Sequence, residues 1–164
     1  MLLAIAVAYW ALFIACAVTD LLWLRIPNLL VLAIVALFAV ACFIAPPASL
    51  VWGHILPAIV VFAIAAVPFY LGKFGGGDVK LLGAAVLWVG AAALGPFLIA
   101  LAVYGTIAVV LFGYLNSQVA GLVLYAGAYL GRDVPLPASL KTNKSVPYGM
   151  VIAAAALSIG PSAG

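Results

Sequence analysis

The chain has 164 residues, 70% of them hydrophobic and 5% charged, with a mean hydropathy of +1.44. Six basic and three acidic residues cannot cover the surface of a soluble domain, so a water-soluble fold is excluded and an all-α polytopic membrane protein is implied. A net charge of +3 does not indicate a nucleic-acid partner, because the basic residues form no run. They flank apolar segments, as topology signals and lipid-headgroup anchors do.

At about 20 residues per crossing, this length accommodates about six transmembrane helices and no separate soluble domain. In chain order the predicted spans are 2–19, 29–45, 53–72, 79–94, 97–115 and 146–160, each bounded by Pro, Gly or charge. The first lacks the basic n-region of a secretory signal and reads as a retained span. Cys16, near the inner end of span one, and Cys42, near the outer end of span two, are separated by roughly 15 Å in depth. A disulfide needs Cα atoms within about 7 Å, so both read as packing residues. His54 falls at an uncharged connection beside Trp52, where a lone histidine is expected to be solvated and remote from the acids. Pro57 and Pro68 are candidate kinks in span three. Residues 116–130 are left open between an extension of span five, an interfacial segment and a further crossing.

All formal charges fall in three connections: Asp20 and Arg25; Lys73, Asp78 and Lys80; Arg132, Asp133, Lys141 and Lys144. With six spans these connections share one face, which the positive-inside rule makes cytoplasmic, with both termini on the other side. Seven crossings would divide the basic residues evenly and give no orientation.

Two acids therefore meet at one membrane border. Asp78 follows Gly75-Gly76-Gly77 and opens an apolar run, so a helix N-cap accounts for it when taken alone. Asp20 is harder to explain as structure. The helix before it can continue through Leu21 to Leu24 until Ile26-Pro27 stops it, which leaves an acid near a helix C-terminus, against the macrodipole. Arg25, five positions on, misses the i,i+4 pairing geometry. A solvated interfacial acid is the plain alternative, but two such acids on one face favour a joint functional role.

Asp20 followed by Ile26-Pro27-Asn28, then Phe74-Gly75-Gly76-Gly77-Asp78-Val79-Lys80, then Val146-Pro147-Tyr148-Gly149 before the last span, resembles the type IV prepilin peptidases in order and spacing. These are membrane aspartic peptidases with a Gly-x-Gly-Asp motif. The resemblance implies that Asp20 and Asp78 are the catalytic pair, with no metal or other cofactor. It also implies that the partner is a prepilin, a basic leader followed by a hydrophobic helix, cut at the cytoplasmic face of a bacterial inner membrane. Long relatives carry two Cys-x-x-Cys pairs and methylate the new N-terminus; with Cys16 and Cys42 alone, methyltransferase activity is not supported. The short form most resembles the peptidases of tight-adherence (Flp) pilus systems.

Gly75, Gly77, Lys80, Arg25 and Tyr148 are the candidates for substrate binding or loop gating. Gly75 and Gly77 offer positive φ and close approach, or a simple hinge. Lys80 tunes the pair, meets an acidic substrate residue near the mature N-terminus, or snorkels to headgroups. Tyr148 either faces the site or anchors at the interface. Two other functions stand beside the peptidase. A presenilin-type intramembrane protease shares Gly-x-Gly-Asp but has Tyr-Asp and Pro-Ala-Leu motifs, where this chain has Thr19-Asp20 and Val146-Pro147-Tyr148. A proton-coupled transporter or assembly subunit would place its acids deeper in the bilayer.

Overall fold

The computed structural model describes residues 2–47, 49–130 and 146–161. Among them are six α-helices and no strand: α1 (Leu2–Trp23), α2 (Asn28–Ile44), α3 (Leu56–Tyr70), α4 (Gly76–Val89), α5 (Leu94–Leu130) and α6 (Tyr148–Ile159). A turn of π-helix, Leu50–Ile55, leads directly into α3. The stretches Leu3–Trp23, Leu50–Tyr70 and Leu94–Leu115 are long and apolar enough to cross a membrane. Residues 116–130 continue α5 as one helix of 37 residues, about 55 Å long against a hydrocarbon core of about 30 Å. Arg132, Asp133, Lys141 and Lys144 lie outside the described residues, and so does their part of the charge pattern.

The two shortest of these helices lie at the centre. α4, 14 residues, packs on α2, α3 and α6, and α6, 12 residues, packs on α1, α4 and α5. Leu81, Ala85, Val86 and Val89 of α4 and Ala153, Ala155 and Ala156 of α6 are inaccessible to solvent. Within lipid, apolar burial drives little association, so the alanines matter because they let backbones approach and make dispersion contacts. The longer helices turn Phe43, Ile64, Val110 and similar side chains outward, as lipid-facing surfaces do.

At the end where α1 and α3 start, the bundle is locked by rings. Tyr9 lies 4.7 Å from Phe13 and 5.0 Å from Trp88, and Phe38 lies 5.4 Å from Trp88 and 5.6 Å from His54, centre to centre. Each polar tip finds a backbone carbonyl: Tyr9 Oη donates to Ala156 O at 2.8 Å and Trp88 Nε1 to Ile34 O at 3.0 Å. This is what burial of a tyrosine or tryptophan demands. His54, expected to be solvated, is buried instead, with Nδ1 3.0 Å from Leu87 O. The carbonyl only accepts, so Nδ1 carries the proton and ties the π-helical turn to the end of α4. Gly90 ends α4 at φ +69°, and a Cβ there would lie 2.8 Å from the His54 ring.

Pro57 occupies the first turn of α3, where its missing N–H costs no helix bond, while Pro68 sits inside the helix. Cys16 and Cys42 are free thiols, the first buried in the core.

Candidate active site

The opposite end of the bundle gathers the end of α1 and the starts of α2, α4 and α6. α1 runs past residue 19 to Trp23 and closes with Leu24 in the left-handed region, φ 51°, its N–H donating to Asp20 O at 2.8 Å. A leucine there costs about 1–2 kcal/mol, because its Cβ crowds the carbonyl. Asp20 thus sits in the last turn, only 5% exposed, where the helix dipole disfavours a negative charge.

The first turn of α6 supplies what α1 cannot. Met150 N–H donates to Asp20 Oδ2 at 3.2 Å, and the Gly149 N–H also hydrogen-bonds this carboxylate. These are N–H groups at a helix start that have no partner within their own helix, so Asp20 caps α6 from a different helix. The contact requires glycine at 149. A Cβ there would stand 2.9 Å from Asp20 Cγ and 2.5 Å from Ile26 Cδ1.

Asp78 is not the N-cap that its place after three glycines suggests. Gly75 is the cap, and Asp78, three residues on, reaches back to the Gly75 N–H in half of a capping box. Neither Gly75 nor Gly77 supplies positive φ; Gly72 does, at φ 67°. Gly77 instead permits close approach, since a Cβ on it would lie 3.2 Å from Ile26 Cβ.

Asp20 and Asp78, with Leu24 and Gly75, line two adjoining cavities of about 300 and 240 Å³. Arg25, Ile26, Gly76 and Gly77 complete the first, and Lys73, Val146 and Tyr148 the second. Burial pushes the Asp78 carboxyl up to about 6, the negative charge of Asp20 pushes the same way, and the Gly75 N–H acts against both. Two carboxyls close enough to feel one another, in a space that also admits water, can hold one proton between them and move it to or from a reacting group. Among the described residues no three acidic, histidine or cysteine side chains cluster to hold a metal ion.

Residues 6–130, a stretch that includes both aspartates and the glycine loop, match the model of the type IV leader peptidase family. The chain belongs to the type IV leader peptidase family. This places it among proteases that act on prepilin leaders. No curated protein and no solved structure matches the chain significantly.

Within this leader peptidase, the residues singled out in the sequence divide. Asp20, Asp78, Gly75, Gly77, Arg25 and Tyr148 all line the aspartate cavities. Lys80 does not. Two residues along a helix turn it about 200° away from Asp78, and its Nζ donates to Asn28 Oδ1 at 3.0 Å over an apolar groove between α2, α3 and α4. The Asn28 of the Ile-Pro-Asn turn thereby links the starts of α2 and α4. Leu24, Lys73 and the Met150 amide of this peptidase were not among the candidates read from the sequence, and Val146 and Gly149 entered only within the stretch that carries the resemblance, with no role given to either. The amides lie beyond the matched stretch, and besides the resemblance at Val146-Pro147-Tyr148-Gly149 their signal was Pro147 ahead of an apolar run, which marks a helix start.

Proposed function

We propose that this leader peptidase is an aspartic endopeptidase that removes the leader from type IV or Flp-type prepilins, with Asp20 and Asp78 as its proton-sharing pair. The observation that carries the reading is that two carboxyls from different helices open into the same cavities at one end of the bundle. One carboxylate takes a proton from a water whose oxygen attacks the scissile carbonyl carbon, while the other, protonated, gives its proton to the carbonyl oxygen. Collapse of the resulting diol breaks the C–N bond, with a proton passing to the departing amine, and the pair is restored. The proton belongs to the pair and not to either residue.

Among the described residues the basic side chains Arg25, Lys73 and Lys80 all belong to the aspartate end, which supports a cytoplasmic orientation, with the protein in the bacterial inner membrane. That face is where the basic leader of a prepilin is retained before its hydrophobic helix.

Coexpression of a prepilin with the wild type and with Asp20→Asn or Asp78→Asn variants, followed by leader removal on gels, tests the pair. Each variant is expected to lose about three orders of magnitude or more in rate, as losing one member of a catalytic unit does. Wild-type processing by either variant overturns the reading.

A further inference from the structure

The two aspartate cavities differ in what they adjoin. Arg25, Ile26 and the glycine loop wall one; Lys73, Val146 and Tyr148 wall the other. Beyond the second lies an apolar cleft of about 390 Å³, with Ile64, Ala65 and Pro68 of α3 on one side, Leu98 of α5 on the other and Leu82 of α4 as its floor. Phe74 closes its aspartate end, and the Phe74 ring lies 5.6 Å from that of Tyr148. These two rings form a sill with the catalytic cavity on one side and the cleft on the other. α5 leans on α6 and comes close to α4 at a few positions, while among the described residues its backbone stays apart from that of α3, and Ile64 and Leu98 stand exposed at the lips of the cleft.

Resting on the prepilin reading above, we propose that this cleft receives the hydrophobic helix that follows the scissile bond. The substrate then has one polarity across the pair: leader on the Arg25 and Gly77 side, mature helix over the Phe74–Tyr148 sill and between α3 and α5. A peptide bond attacked between two carboxyls must be extended there, whereas the helix beyond it must stay among apolar partners, where its backbone bonds remain internal. The cleft holds ridge side chains of such a helix and leaves its other faces to lipid. The other apolar groove, beside Lys80 with Val35 and Phe62, lies on the face of α4 turned away from Asp78, and none of its lining residues is paired with a ring of the aspartate cavities as Phe74 is with Tyr148.

A photo-crosslinking side chain placed at Ile64, Leu98 or Val35 of the full-length Asp78→Asn protein, in membranes containing prepilin, tests this directly. Crosslinks to the mature helix are expected from Ile64 and Leu98 and not from Val35. In the active enzyme, Leu98→Trp should raise KM for prepilin about tenfold with kcat held, equivalent to about 1.4 kcal/mol of binding, while Val35→Trp changes neither. Crosslinks from Val35 alone, or an unchanged KM in Leu98→Trp, overturn the cleft while prepilin is still cleaved. A wild-type enzyme that leaves prepilin intact overturns the functional reading instead.

Discussion

The two ends of this bundle use the same helices in opposite ways. Away from the aspartates, α1, α2, α4 and α6 meet through Tyr9, Phe13, Phe38 and Trp88, whose rings fill the space and whose polar atoms are hydrogen-bonded. At the aspartate end they meet through Gly77, Gly149 and a left-handed Leu24, around cavities. Large rings give stiffness; glycines give close approach and leave room for a peptide. The stiff end fixes the helix positions, and so fixes where two carboxyls from distant parts of the chain come to lie.

Substitutions at each end should break different properties. Trp88→Ala empties the ring cluster and is expected to cost about 3–5 kcal/mol of stability, read by unfolding in micelles, with the turnover of the folded fraction nearly unchanged. If activity per folded molecule collapses as well, the division between ends is wrong. Gly149→Ala should do the reverse: its Cβ displaces Asp20 from the α6 amides, so cleavage should fall on the order of a hundredfold, as misplacing a reacting group does, with helix content by circular dichroism retained. Normal kinetics would mean that these amides do not position Asp20.

A smaller effect follows from the Asp78 carboxyl at about 6, against about 3.9 in an unfolded chain. Between these values the folded state binds more protons, so stability rises as pH falls from about 6 toward 4, and the ionised group is a burden above that window. Asp78→Asn should therefore be more stable than the wild type at pH 7, on the order of 1 kcal/mol after solvent screening, and the gain should vanish near pH 4. Thermal midpoints across that range check it; a gain that does not depend on pH would point to packing instead of charge.

The helical class and both aspartates were legible in the sequence, because composition demands a membrane fold and an acid beside an apolar run demands a reason. Lys80 misled: it is close to Asp78 along the chain, yet the helix period turns it to another face. His54 was misread because hydropathy gives depth in a membrane and not the presence of a carbonyl such as that of Leu87. The Gly149 and Met150 amides stayed hidden for a related reason, since a backbone donor leaves no side-chain signature. The far part of α5 is ambiguous in sequence because about 15 residues fall short of a crossing, while a helix of 37 residues simply runs beyond the bilayer.

The bond from Met150 to Asp20 joins residues 130 positions apart. In a chain made from its N-terminus, α1 and the glycine loop are in place well before α6 exists, so the first carboxylate waits without its amide donors through most of synthesis. Insertion of α6 then completes the aspartate end, so under the proposed mechanism leader cleavage would begin only once that helix is in place.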